Sequence, residues 1–215
     1  AGVGSRVAMF VLRLTSDESV IGVVSDDEFT IGQFTLFGTF NLLVIGAAVG
    51  VLGAAVYQWV RPWLIGPRWL RLATVSLGSG AVVGSMLVHA DGVDFRLLTP
   101  TWLAIGFFVA LPAIFGLCVA VAVDSVSRPS SWTAQGRTRW ILPVVLLVPF
   151  PLAWFVVVFA AMVLVIWVFL RDTDPFREAT QDPWLTFGVR ALWLGVAVLG
   201  LLALIGDVRD IQSVT

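Results

Sequence analysis

Five long stretches of this chain carry almost no charge, and the polar residues gather into short clusters between them. The apolar runs cover about 34–60, 69–89, 100–123, 151–170 and 184–205. A helix rises about 1.5 Å per residue, so roughly 20 residues match a ~30 Å hydrocarbon core. The run from Phe34 to Val60 exceeds that length with no formal charge. The expected fold class is therefore all-α: a polytopic transmembrane bundle of about five spanning helices in one membrane domain, plus an apolar N-terminal helix.

Residues 1–14 (AGVGSRVAMFVLRL) are apolar but short, roughly 21 Å as a helix. Arg6 and Arg13 share a face. The segment reads as an interfacial helix, or as the tail of a spanning helix whose beginning is missing. A signal peptide fits less well, because no small-residue cleavage site follows the apolar stretch. Residues 15–33 are acidic, with Asp17, Glu18, Asp26, Asp27 and Glu28, and Ser25 and Glu28 have capping-box spacing.

Helix punctuation is clearest at two places. Thr99 with Pro100, and Asp182 with Pro183, each pair an N-cap residue with a proline at the first helical position. Pro112 falls within the third run and should kink it. Pro143, Pro149 and Pro151 make one straight helix over 140–170 a poor fit. Pro151 would start the fourth span, leaving 140–150 as a short interfacial or re-entrant segment.

Composition agrees with a lipid setting. Of 215 residues, 59% are hydrophobic and 13% charged, where a soluble domain has about 25% charged residues. The net charge of −1 gives no electrostatic case for nucleic acid as a partner. The lone cysteine, Cys118, cannot form an internal disulfide.

Arginine placement suggests an orientation. Grouping loops by alternate crossings puts Arg61, Arg68, Arg71, Arg128, Arg137, Arg139 and Arg209 on one face, and Arg96, Arg171 and Arg177 on the other. Positive-inside bias then makes the 61–68 and 128–139 loops and the C-terminus cytoplasmic, with 90–96 and 171–182 outside. Trp59, Trp63, Trp69, Trp102, Trp132, Trp140 and Trp184 fall at or near expected helix ends, where indole rings settle at the interface.

No phosphate loop, GxSxG elbow, HExxH, CxxC or CxxCH occurs. No expected span has Asp or Glu in its middle, where ion-coupled transporters usually place a carboxylate. Arg71 and Arg190 lie within about two turns of span ends and can snorkel outward; Arg190 can otherwise hold an acidic headgroup or a partner's carboxylate. His89, Asp91 and Asp94 are the candidate metal-ligating group, although their spacing matches no zinc or EF-hand pattern and Asp91-Gly92 is an ordinary turn signal. Asp94 and Arg96 form an outer-loop polar cluster expected to fix how the third span enters the membrane. With His89, they would line one outward pocket if the chain were a lipid- or quinone-linked enzyme.

Gly46 and Gly50, extended by Gly53 and Ala54, form one GxxxG motif, and Gly80 and Gly84 a second. In lipid, small residues let helix backbones approach closely. The expectation is tight packing of the first two spans against each other or against a partner, with Asn41 hydrogen bonding across the contact. A polar cavity formed by Asn41, Ser76, Ser79 and Ser85 would favour a transporter or channel component.

The segments SDDEFTIGQFTLFGT (25–39) and ADGVDFRLLTPTWLAIGFFVALP (90–112) resemble a group of uncharacterised multipass membrane proteins of actinobacteria and other high-GC bacteria. The likeness covers roughly residues 20–125, with Asp94-Phe95-Arg96-Leu97-Leu98 its most specific part. It implies a bacterial cytoplasmic membrane and no particular chemistry. The reading is a non-catalytic accessory or scaffold subunit of a larger membrane complex. No cofactor is expected, and membrane lipids and other membrane subunits, or a second copy of the chain, are the expected partners.

Overall fold

The structure is a computed structural model that describes residues 2–23, 35–89, 92–128, 130–131 and 150–214; the side chains of 93, 96, 150–153 and 214 are not described. The protein is an all-α polytopic helical chain, with no strand among the described residues. The helices are α1 (Gly2–Thr15), α2 (Leu36–Val60), α3 (Arg68–Leu87), α4 (Val93–Leu97), α5 (Thr101–Val126), α6 (Phe150–Leu170), α7 (Asp174–Gln181) and α8 (Pro183–Val214). Single 3-10 turns occupy Glu18–Val20 and Arg61–Trp63.

Among the described residues, four helical segments are long and apolar enough to cross a membrane: Leu36–Trp63, Arg68–Leu87, Thr101–Val126 and Pro183–Ser213. Only 11–17% of each one's most apolar window is buried inside the protein, so most of that surface needs lipid as its partner. A fifth candidate joins α6 to α7 across a 92° bend. The expected 171–182 loop is thus largely a short helix turned across the axis of α6. The expected segment 140–150 and its break from the fourth span lie outside the described residues.

The capping logic holds at α8, where Asp182 Oδ1 accepts the backbone N–H groups of Trp184 at 2.8 Å and Leu185 at 3.4 Å. At α5 the helix begins one residue later than expected, at Thr101, with Leu103 N–H donating to the Pro100 carbonyl. It then continues through Pro112 to Val126 as one helix.

The chain divides into two compact units. The first holds residues 1–43, 76–115 and 195–215; the second holds 44–75 and 116–194. In the first unit, Leu12, Val88, Phe95, Leu98, Ala104, Leu204 and Ile211 form an apolar core. Phe95 tilts against Phe108, with ring centroids 5.1 Å apart. α1 runs antiparallel along the first half of α5: a Cβ on Gly4 would meet the Leu111 side chain, and the Ser16 hydroxyl lies 2.9 Å from Thr99 N and 3.2 Å from Thr99 O. α1 thus lies along α5, a helix long and apolar enough to cross a membrane.

The glycine expectation changes in its partner. A Cβ on Gly80 would sit 3.0 Å from Ala113 Cβ and 3.2 Å from the Val109 carbonyl; one on Gly84 would sit 3.1 Å from Val109 Cγ2. The second motif therefore packs on α5, the third span. Gly53 of the first motif faces Val119, also on α5, at an ordinary 3.6 Å. Gly46 and Gly50 are half-buried on α2. A further glycine, Gly200 of α8, brings its backbone against Ala81 and Val82 of α3, where a Cβ would lie 3.0 Å from Val82 Cα.

The arginine grouping needs correction. In the second unit, Phe176 of α7 packs edge-on against Trp59 and Trp63, with centroids 6.1 and 6.0 Å away, and Arg190 Nε donates to the Trp63 carbonyl at 2.9 Å. Segment 171–182 therefore shares an end with 61–68, where the sequence count placed it opposite. In the first unit, Leu204 and Ile211 near the C-terminus join the core that holds Phe95 and Leu98. The tail thus packs with the 93–98 segment inside the first unit. Counting loops by alternation failed because it assumed one full crossing per apolar run.

Candidate functional site

The polar side chains of the second unit converge where α2, α5 and α6 end. Residues 57 and 61 are four apart, so the last turn of α2 and the 3-10 turn after it present Tyr57 and Arg61 on one side. Gln58 and Pro62 repeat the spacing on the adjacent side. On α5, Asp124 lies two residues before the helix end, with Ser127 just beyond. On α6, Trp167 precedes Arg171 by one turn.

Asp124 organises the first group. Its carboxylate accepts the Tyr57 hydroxyl at 3.0 Å and faces Arg61 Nε at 3.3 Å and Arg68 Nε at 3.5 Å. The residue is only 8% exposed. A carboxylate removed from water needs such compensation, because desolvation otherwise disfavours its charged form. Arg71 lies half-buried, its Nε without a hydrogen-bond partner among the described residues.

Beside this cluster is a cleft of about 350 Å³ lined by Gln58, Arg61, Pro62, Ser127, Trp167 and Arg171. Gln58 Nε2 donates to the Ser127 hydroxyl at 3.1 Å. The Arg171 guanidinium lies 5.0 Å from the Trp167 ring centroid and pairs with the exposed Asp172 at 3.3 Å. Two cations, an amide, a hydroxyl and an indole make the walls, and among the described residues no carboxylate lines them. Such a surface suits an anion.

The residues singled out from sequence are distributed differently. His89 is exposed, and its carbonyl accepts the Gly92 N–H at 3.1 Å to close a turn. Asp94 is buried at 5% exposure beside the core residue Phe95. The expected outer group is therefore divided between surface and interior; Asp91 and the side chain of Arg96 lie outside the described residues. Among the described residues no three metal-ligating side chains gather. The Ser76 and Ser79 hydroxyls donate to the Ala113 and Pro112 carbonyls of α5, at 2.9 and 3.0 Å. Ser85 donates to Val82 on its own helix, and Asn41 is half-buried on α2. Arg190 Nε donates to a backbone carbonyl, that of Trp63.

Sequence reasoning used Arg61 and Arg171 only for orientation and passed over Tyr57, Gln58, Asp124, Ser127 and Trp167 as a site. One signal was present. Asp124 is the first charge after an uncharged run from Leu97, and Tyr57 is the sole tyrosine.

No protein-family model matches the chain, and no solved structure matches it. A 79-residue stretch, 36% of the chain, is 28% identical to the glucuronide carrier protein homolog of Escherichia coli (strain K12). That match spans 17% of the carrier homolog's own length.

Proposed function

We propose that this chain is a non-catalytic subunit or scaffold of a larger assembly in a bacterial cytoplasmic membrane. The observation that carries the reading is the fate of the polar groups at spanning depth. Ser76 and Ser79 donate to the α5 carbonyls of Ala113 and Pro112, where they fix α3 to α5. Hydroxyls used this way hold helices together. The large apolar faces of the spans remain for lipid and for neighbouring subunits.

The arginine-rich end faces the cytoplasm in this reading. Among the described residues of the second unit are Arg61, Arg68, Arg71, Arg128, Arg171, Arg177 and Arg190, the excess that positive-inside bias retains there.

A second reading, a transport component for an anionic solute, is favoured by the partial likeness to the carrier homolog and by the cation-lined cleft. Reconstitution separates the two. Proteoliposomes holding the purified chain alone should take up no radiolabelled phenyl glucuronide, and native gels of gently solubilised membranes should place the chain in a hetero-assembly. Saturable uptake by the chain alone would put transport first.

A further inference from the structure

The cleft between the ends of α2 and α6 has more donors than its own acceptors use. We propose that it binds a phosphate group, carried by an anionic lipid headgroup or by a small soluble phosphate ester. Arg61 commits its Nε to Asp124, and Arg171 commits its Nε to the exposed Asp172. Each guanidinium has five N–H donors in a planar fork, so both keep donors for a ligand. Ser127 accepts from Gln58, which leaves its own hydroxyl proton to give. The Trp167 indole N–H is buried with no hydrogen-bond partner among the described residues.

The shape of this donor set separates phosphate from carboxylate. A carboxylate's two oxygens are satisfied by one guanidinium fork. Here two forks come from different helix ends, with the Ser127 hydroxyl and the Trp167 side chain also lining the cleft. A phosphate offers oxygens in several directions and fits donors arriving from several sides. The cleft of about 350 Å³ is of the size that holds a small polar group.

Depth favours the lipid source. The cleft opens where α2 and α6 finish their apolar runs, and Trp59, Trp63 and Trp167 mark that level. Indole rings collect at the headgroup layer, and basic pockets at that depth on the cytoplasmic side recruit anionic headgroups. Arg171, on a Trp167 ring and paired among the described residues with an exposed aspartate, can exchange that weak partner for a phosphoryl oxygen.

The test uses the full chain, stripped of lipid in detergent. Native mass spectrometry follows retention of dioleoylphosphatidylglycerol against dioleoylphosphatidylcholine, with glycerol 3-phosphate and inorganic phosphate as soluble competitors. Wild type should retain one phosphatidylglycerol in preference to phosphatidylcholine. Arg171→Gln should weaken that retention about tenfold and Arg171→Lys by less, because the ammonium keeps the charge without the fork. Arg128→Gln, an exposed arginine outside the cleft lining, should leave it unchanged. Unaltered melting temperatures in these variants exclude misfolding as the cause. Displacement by millimolar glycerol 3-phosphate would assign a soluble phosphate ester, and resistance to it a lipid headgroup; either supports the site. Equal retention of both lipids, or an Arg171→Gln protein indistinguishable from Arg128→Gln, would overturn it. Neither result depends on whether the chain is a scaffold or a transport component.

Discussion

In the first unit α3 meets its neighbours through small residues, whereas in the second unit the helix ends meet through charges and aromatic edges. Gly80 and Gly84 lie on α5 and Gly200 lies on α3 at distances that leave little space for a side chain. Asp124, Tyr57, Arg61 and Arg68 instead form a polar knot, with Trp59 and Trp63 held by Phe176. The difference reflects available solvent. At spanning depth lipid offers no hydrogen bonds, so packing and backbone-directed hydroxyls must hold helices. At a helix end, water and headgroups make charge tolerable, and arginine can bridge several elements.

The largest effect expected is all-or-none and tests which segments share an end. In a Cys118→Ala background, cysteines at Ser130 and Thr173 should both resist a membrane-impermeant maleimide added to intact cells, and one at His89 should label. Labelling of position 173 with protection of 130 would separate α7 from the Trp59–Trp63 edge and restore the alternating arrangement.

Next in size is the polar knot. Asp124→Ala removes the only carboxylate facing Arg61 and Arg68 among the described residues and orphans the Tyr57 hydroxyl. Removing one partner of a buried pair costs about 3–5 kcal/mol, but both arginines are at least a third exposed, so about 2–3 kcal/mol is expected. Denaturant titration in mixed micelles reads it. Arg68→Gln, at 3.5 Å and half-exposed, should cost under about 0.5 kcal/mol. Equal losses from the two would mean that Asp124 does not organise the cluster.

The packed side of the comparison predicts a graded series. Gly80→Leu forces a side chain against Ala113 and the Val109 carbonyl and should cost about 2 kcal/mol. Gly53→Ala meets only an ordinary 3.6 Å contact, and Gly106→Ala meets nothing within 4 Å; both should be near neutral. Ser76→Ala should lose about 0.6 kcal/mol, the average for a hydrogen bond between membrane helices. A Gly53→Ala loss matching that of Gly80→Leu would show that close approach of the backbones does not set the series.

What was legible in the sequence follows the same division. Spans and caps act over neighbouring residues, so Leu36–Val60 and the Asp182 cap could be read from local pattern. The glycines were visible, but not that α5 was their partner, since a small-residue stripe carries no address. The cleft was hidden for a different reason. Gln58, Ser127 and Trp167 come from three separate segments, and each alone is an ordinary helix-end residue. Only the return of α6 and α7 to the 61–68 end brings them together, and counting loops by alternation could not foresee it.

The smallest effect expected lies in the first unit, whose described electrostatics are local. Asp17 Oδ1 accepts the Ser19 N–H at 3.0 Å and caps the 3-10 turn whose Val20 is 3% exposed. That backbone hydrogen bond holds the Asp17 carboxyl below its ordinary value of 3.8. The sign follows from linkage. A carboxylate with a depressed folded value adds its stability fully above the ordinary value, and loses it as pH falls through the lower one. Ser19 amide protection, followed by hydrogen exchange corrected for intrinsic rates, should therefore be level above pH 3.8 and fall below it. Asp17→Asn keeps a good capping oxygen with no proton to gain, so its protection should stay level across the same range. The turn as a whole should barely respond, because an exposed cap is worth little and the Val20 contact persists in both proteins. An equal acid-side fall in the Asp17→Asn protein would place the pH dependence in other carboxylates and remove Asp17 from the account.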